Sequence, residues 1–167
     1  VWNNQSQFVA EWRLKSSEGF TVYFDCFTSD GHRYIYYTAG NTDYLGSGLY
    51  VHHGLGAGVA DGAWHTFARN LAADLTEAQP GNTLLAVNGV YVRGNCRLDD
   101  IRLKADMSDQ VVYEDAEDGL ILGWDVYDND PAGAVVSNLD DGGNRVIRCQ
   151  GTGRANGYRL RYPGGAL

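Results

Sequence analysis

Apolar and polar residues alternate along most of this chain with the two-residue period of a β-strand. The alternation is clearest in the segments 8–15, 20–27 and 33–38, where every second side chain is apolar. Shorter alternations continue to about residue 162, between turns rich in Gly, Asn and Asp. The pattern predicts an all-β fold of roughly ten short strands, arranged as a two-sheet β-sandwich.

One segment departs from this period. Leu71, Leu75 and Ala78 have the three- to four-residue spacing of a helix, and Pro80 follows closely. Proline disfavours helical geometry in the residue before it. We therefore predict at most one short helix, near residues 70–79.

The segments 20–27 and 33–38 form a predicted hairpin around Ser29–His32. With Thr28 opposite Arg33, Phe24 faces Tyr37 in the core, and the outer face also carries aromatic rings. Aromatic residues on both faces of a sheet indicate a covered sheet or a ligand platform. The candidate ligand-binding residues on these strands and on the short strand at 49–53 are Tyr34, Tyr36, Tyr23, Asp25, Arg33, Tyr50 and His52.

An acidic, glycine-punctuated stretch lies between residues 113 and 124. Carboxylates packed this closely repel one another unless a cation or solvent relieves them. Calcium prefers such hard oxygen ligands. The alternative is a solvated acidic loop with no ion.

Two motifs carry a resemblance to a known family. Glu117–Gly119 followed by Gly123–Trp124 resembles the opening of the jelly-roll carbohydrate-binding modules of families 4 and 22, and the segment 98–103 resembles the way those modules close. The strand pattern extends the likeness over most of the chain. The resemblance implies a polysaccharide ligand and a structural calcium held by Glu117 with Asp99 or Asp100.

The two motifs occur in the reverse of the family's order. Residues 1–167 are expected to form one domain whose family order is 112–167 followed by 1–103, with 104–111 as joint or linker. The chain is then a circular permutant or a piece cut from a tandem array. Either origin predicts that Val1 and Leu167 lie close together.

The charge and composition of the chain exclude some classes of binding partner. The formal net charge of −8 argues against nucleic acid and anionic membrane surfaces, and no apolar run approaches the length of a membrane span. Cys26, Cys96 and Cys149 are an odd number of cysteines, so at least one thiol is unpaired. Cys26 follows the apolar alternation and is expected to be a buried free thiol, while one disulfide remains possible.

These features predict a secreted, monomeric, non-catalytic module that binds a polysaccharide and targets an attached enzyme or cell surface to it. Two alternatives stay open. One is a polysaccharide-degrading β-sandwich enzyme, a lyase or glycosidase, acting through Tyr50 and His52. The other is an adhesive tandem-repeat module. The fold alone cannot separate them, because sandwiches of this kind carry many functions.

Overall fold

The computed structural model describes residues 1–105 and 109–161, which form twelve strands, one α-helix and one short 3₁₀ turn at Gly153–Ala155. The elements are β1 (Val9–Lys15), β2 (Thr21–Thr28), β3 (Gly31–Thr38), β4 (Tyr50–Gly54), β5 (Trp64–Asn70), α1 (Leu71–Ala78), β6 (Leu84–Arg93), β7 (Cys96–Lys104), β8 (Gln110–Glu114), β9 (Trp124–Asp128), β10 (Val135–Asp140), β11 (Arg145–Gln150) and β12 (Gly157–Leu160).

The strands form two six-stranded sheets. Sheet I has the order β10-β11-β7-β1-β5, with β8 also paired to β7, and sheet II has the order β4-β3-β2-β6-β12-β9. The predicted all-β sandwich is confirmed. Its residues alternate between the interior and the outer faces, as the sequence period requires.

The predicted short helix is also confirmed. The Asn70 side chain caps α1 by accepting a hydrogen bond from the Ala73 amide, which satisfies an otherwise unpaired donor of the first turn. Leu71 and Leu75 are fully buried and so hold the helix against the sandwich. None of the helices in the described residues is long and apolar enough to cross a membrane.

Aromatic rings join the two sheets in the core. Trp12 of β1 in sheet I is 1% exposed and packs against Phe24 and Tyr37 of sheet II, with ring centroids 5.4 and 5.5 Å apart. Fully burying a large apolar side chain contributes about 1.5–3 kcal/mol. Trp12 is therefore a main anchor between the sheets.

The register of the β2–β3 hairpin differs by two residues from the prediction. Cys26 lies opposite Arg33 and Phe24 opposite Ile35, because Ser29 and Asp30 alone form the tight turn between the strands. A shift of two residues leaves every side chain on its predicted face, since side chains alternate with period two. The pairs are wrong, but the assignment of Tyr23, Tyr34 and Tyr36 to one face is unchanged.

Both parts of the chain contribute strands to both sheets. β7 pairs with β1 and also with β8 and β11, while β6 pairs with β2 and β12. The expected joint at 104–111 includes the ends of two paired strands, with Lys104 opposite Gln110. The permuted order itself stays a prediction, and its corollary that Leu167 lies near Val1 falls outside the described residues.

Candidate functional site

The outer face of sheet II carries a shallow depression that we name the tyrosine groove. Its volume is about 300 Å³, and the residues that line it come from β2, β3, β4, β6, β9 and β12: Tyr23, Tyr34, Tyr50, Tyr91, Arg93, Tyr127 and Arg159. Five of these seven side chains are tyrosines. A solvated sheet face needs no such rings, so the face has the composition of a binding surface.

The rings support one another across the strands. Tyr34 of β3 stacks on Tyr50 of β4, with centroids 5.5 Å apart, and meets Tyr91 of β6 edge-on at 5.8 Å. Tyr91 in turn meets Tyr127 of β9 edge-on at 5.2 Å. Such offset and edge-to-face contacts hold the rings in fixed orientations. The groove is therefore preorganised rather than assembled around a ligand.

Two arginines at the β9 side of the groove are each compensated by an aspartate. Arg93 donates to Asp128 at 2.7 Å, and Arg159 forms a bidentate pair with Asp125, at 2.7 Å for both bonds. A bidentate pair fixes the plane of the guanidinium. The arginines thus present oriented N–H donors while adding almost no net charge to the groove.

The hydroxyls of Tyr23, Tyr34 and Tyr127 remain protonated at neutral pH. Burial raises the pKa of Tyr34 to about 12, and neighbouring phenols and Asp25 add to the effect. Burial also raises the pKa of Tyr23 and of Tyr127. Each neutral hydroxyl can both donate and accept a hydrogen bond, which suits a ligand that also carries hydroxyl groups.

The Tyr127 ring packs against Gly157 of β12. A Cβ atom at Gly157 would lie 2.4 Å from the Tyr127 ring, far inside van der Waals contact. Only glycine lets the ring pack directly over β12 at this point. The position of the last tyrosine in the groove therefore depends on the absence of a side chain on the neighbouring strand.

The aromatic surface continues beyond the groove along β3 and β4. Tyr36 stacks on His52 at 4.6 Å, and Tyr44 covers the other side of His52 at 5.5 Å. His52 is only 6% exposed, and its Nε2 atom lies 2.7 Å from the Thr38 hydroxyl. These contacts leave His52 covered, so its ring is poorly placed to exchange protons with a ligand.

The remaining two predicted ligand-binding residues lie apart from the groove. Asp25 is on the same face, but its carboxylate lies 2.6 Å from His32 Nε2. Arg33 lies on the opposite face of β3, where its Nε donates to Gln79 at 2.9 Å. Arg33 therefore belongs to the sandwich edge, as its position next to Tyr34 in an alternating strand requires.

Four groove residues were missed by the sequence analysis: Tyr91, Arg93, Tyr127 and Arg159. Their strands were predicted, and each residue alternates with buried or half-buried neighbours on its own strand. The missing information is the order of strands in the sheet. Nothing local in the sequence places β6, β12 and β9 beside β2.

The predicted calcium ligands are engaged by protein donors. Asp99 is buried and accepts hydrogen bonds from Arg13 at 3.1 Å and Asn144 at 2.8 Å. Asp100 pairs with Arg102 at 2.6 Å, whereas the exposed Glu117 lies in the loop between β8 and β9. The two aspartates fit a guanidinium-paired cluster better than a calcium site, and calcium stays a prediction.

The buried acid of the acidic stretch is Glu114. Its carboxylate accepts hydrogen bonds from the Ala116 amide at 2.8 Å and from Trp124 Nε1 at 2.7 Å. Burial raises its pKa, although both donors oppose that shift. Glu114 therefore anchors Trp124 and the start of the loop between β8 and β9.

One other group of potential metal ligands lies together in the described residues, namely His53, Asp74 and Glu77. Both Asp74 oxygens, however, accept hydrogen bonds from Arg69, at 2.9 and 2.7 Å. The Tyr37 hydroxyl donates a further bond to Asp74 at 2.5 Å. The carboxylate is thus fully used inside the protein.

Comparison with known proteins leaves the family open. No protein-family model matches the chain, and no curated protein matches it either. The function therefore has to be inferred from the geometry and chemistry of the tyrosine groove.

Proposed function

We propose that this protein is a non-catalytic, secreted module that binds a neutral polysaccharide in the tyrosine groove and targets whatever it is attached to. The observation that carries the proposal is the set of five tyrosines on the outer face of sheet II. Pyranose rings have an apolar face of C–H groups, and the electron-rich face of an aromatic ring attracts such groups.

The polar groups of the groove support the same ligand class. Arg93 and Arg159 are held by Asp128 and Asp125, so they offer directed donors without attracting anions strongly. Protonated tyrosine hydroxyls supply further donors and acceptors. A few fixed polar groups among apolar rings are typical of sites that recognise neutral, hydroxyl-rich molecules.

The dimensions favour a chain over a single sugar. The groove draws residues from all six strands of sheet II, from Tyr50 on β4 to Tyr127 on β9. Five inter-strand gaps of about 4.8 Å give it a span of roughly 24 Å across the strands. A short oligosaccharide lying across the strands fits this length, so affinity should rise with chain length and then level off.

The test is affinity electrophoresis and calorimetry with a panel of neutral polysaccharides and their oligosaccharides, comparing wild type with Tyr34→Ala. Removing a central aromatic anchor should weaken binding about tenfold to a hundredfold. Phe27→Ala is the matched control, since Phe27 is 51% exposed on the same face of β2 but lines a different hollow.

Two results would overturn the proposal. One is the absence of binding to any neutral glycan in the panel by a folded wild-type protein. The other is binding that Tyr34→Ala and Phe27→Ala weaken equally. Release of reducing sugar or unsaturated product from a bound glycan would replace the non-catalytic reading with an enzymatic one.

A further inference from the structure

The outer face of sheet I carries three cationic side chains in one row, which we name the cation row: Lys15, Arg97 and Arg148. Lys15 of β1 lies directly opposite Arg97 of β7, and Arg97 lies directly opposite Arg148 of β11. Trp64 of β5 continues the row beyond Lys15. Like charges placed directly opposite on neighbouring strands destabilise a sheet.

The compensation of this row is incomplete. Asp141 pairs with Arg97 and, at 3.4 Å, with Lys15. Arg148 has no hydrogen bond or ion pair with any side chain in the part of the chain that the structure describes. Three cations and one carboxylate leave two positive charges, on a protein whose net charge is −8.

The row borders a hollow of about 430 Å³ at the end of sheet I. Its walls also include the polar residues Ser16, Ser17 and Asn95, together with Gln150. The unpaired guanidinium group of Arg148, beside the Ser17 hydroxyl and the Gln150 amide, matches the oxygen atoms of a tetrahedral anion. Arginine in particular recognises such oxygens with pairs of parallel N–H bonds.

We propose that the cation row and its hollow bind a tetrahedral oxyanion, either a free sulfate or phosphate ion or the same group carried as an ester on a sugar. Bound oxyanion compensates the like charges that the sheet otherwise holds in register. The site is separate from the tyrosine groove, because the two lie on the outer faces of different sheets.

The test is titration of the intact protein with sulfate and with phosphate at low ionic strength, followed by calorimetry and melting temperature. Saturable binding and a rise in melting temperature are expected for wild type, while chloride at equal ionic strength gives neither. Arg148→Gln should weaken oxyanion binding at least about tenfold. Without the anion it should melt at or above the wild-type temperature, because a like-charge contact has been removed.

Arg145→Gln is the matched control, since Arg145 is an exposed arginine on the same strand, β11. It should leave oxyanion binding within about twofold of wild type. A sugar sulfate and the same sugar without sulfate then show which source of the oxyanion is preferred. Non-saturable binding, or equal losses in the two arginine variants, would show general charge attraction and overturn the proposal.

Two of the three cysteines, Cys96 and Cys149, lie together in sheet I. Cys96 of β7 lies directly opposite Cys149 of β11, and both side chains point into the sandwich, at 5% and 1% exposure. Directly opposed residues of antiparallel strands have Cα atoms about 4.5–5.5 Å apart. That separation lies within the range that a disulfide spans.

Cys26 is excluded from the pairing by its position. It lies in sheet II, and packed sheets are about 10 Å apart, beyond the reach of a disulfide to sheet I. Cys149 instead has Cys96 as its neighbour: burial, and after it the Cys96 side chain, raises the pKa of the Cys149 thiol. The thiols of Cys96 and Cys149 thus share one apolar environment.

We infer that Cys96 and Cys149 form a disulfide when the chain folds in an oxidising compartment. A thiolate attacks a small-molecule disulfide such as oxidised glutathione and releases one glutathione thiol. The second cysteine then attacks the mixed disulfide and releases the other. The protein loses two electrons and two protons, which leave in the two reduced glutathione molecules, and β7 becomes linked to β11.

Refolding the chain in a glutathione redox buffer tests this inference. Mass spectrometry should show the loss of two hydrogen atoms and a linked pair of peptides containing Cys96 and Cys149, with Cys26 alkylated only after unfolding. The melting temperature should rise by about 10 °C relative to reduced protein. Cys26→Ala should keep both effects and Cys149→Ala should lose both; a link to Cys26, or no link in wild type, contradicts the inference.

Discussion

The outer faces of sheets I and II differ in how their charged groups are compensated. On sheet II, Arg93 and Arg159 each have an aspartate of their own, and the rest of the groove is tyrosine. On sheet I, three cations lie in register, and Asp141 pairs with only two of them, Lys15 and Arg97. One face therefore offers shape and hydrogen bonds with little charge, while the other offers charge.

Two faces of one sandwich can therefore present unlike chemistry without interfering with each other. The side chains of each face point away from the common core, so each face is constrained only by its own period. On the two binding proposals above, a neutral glycan and an oxyanion would be recognised independently. A sulfated polysaccharide would therefore engage both faces only through separate segments of its chain.

Salt dependence gives the largest expected contrast between the two faces. Raising ionic strength from about 0.01 to 1 M shortens the screening length from about 30 to 3 Å. Oxyanion binding at the cation row should weaken by more than about tenfold over this range. Neutral-glycan binding in the tyrosine groove should change by less than about twofold, because no net charge is compensated there.

Calorimetry at several salt concentrations measures both responses on the same preparation. Tyr34→Ala should affect only the glycan and Arg148→Gln only the oxyanion. A glycan affinity that falls as steeply with salt as the oxyanion affinity would remove the distinction between the faces.

The packing of Tyr127 on Gly157 predicts a smaller effect, confined to the groove. Gly157→Ala places a methyl group within the Tyr127 ring, so the ring must move. Glycan affinity should decrease roughly threefold to tenfold, and oxyanion affinity should stay the same. Gly133→Ala is a less suitable control because its φ is +121°, so Gly48→Ala, where the added methyl meets open space, serves instead.

Calorimetry with the longest bound oligosaccharide shows the difference most clearly, since that ligand reaches β9. An unchanged affinity in Gly157→Ala, with the protein still folded, would mean that Tyr127 lies outside the binding surface.

Features of the two faces that depend on local alternation could be predicted from the sequence, whereas features that depend on strand order could not. Tyr23, Tyr34 and Tyr36 were assigned to one outer face because alternation decides the face, and an error of two residues in register does not change it. Arg33, a candidate of the same set, lies on the other face of β3 from Tyr34, as the same alternation requires. The β-sandwich and the single helix could also be predicted from the local spacing of apolar residues.

The rest depends on long-range pairing. Tyr91, Tyr127 and Arg159 lie far apart in the chain and meet only because β6, β9 and β12 are neighbours in sheet II. The cation row likewise requires β1, β7 and β11 to be adjacent and in register. Neither periodicity nor residue type specifies strand order, so these juxtapositions are visible only in the fold.

The covered His52 at the edge of the aromatic face predicts a pH effect on stability. Burial lowers the pKa of His52, while Asp43 opposes the shift. Above about pH 7 the ring is neutral in both folded and unfolded chains, so it adds no pH dependence. As pH falls through about 6.5, the unfolded chain takes up the proton first, and the folded state loses stability until the lower folded pKa is reached.

Melting temperatures of wild type and His52→Gln between pH 8 and 5 measure the contribution of His52 to the pH dependence of stability. Wild type should lose more stability than the variant between about pH 7 and 5.5. His65→Gln is the control, because His65 lies on sheet I beside Asp61. Parallel pH curves for wild type and His52→Gln would show that the covered ring does not resist protonation.

The smallest expected effect concerns the carboxylates of sheet I. Calcium bound to the folded state alone at a hundredfold excess over its Kd would add about 2.7 kcal/mol, or roughly 5–10 °C in melting temperature. Asp99 and Asp100 already have Arg13 and Arg102 as partners. The calcium implied by the family resemblance predicts such a response, whereas these arginine pairs predict almost none, and we expect chelation to change the melting temperature by less than about 1 °C.

Arg13→Gln tests the arginine pairing directly, because it removes the positively charged partner of the buried Asp99. Removing the cationic partner of a buried carboxylate is costly, but Asn144 still donates to Asp99, so this variant should melt only moderately below wild type. If chelation instead lowers the wild-type melting temperature by several degrees, a metal ion shares these carboxylates with the arginines. The outer face of sheet I would then bind a metal cation at Asp99 and Asp100 as well as an oxyanion at the cation row.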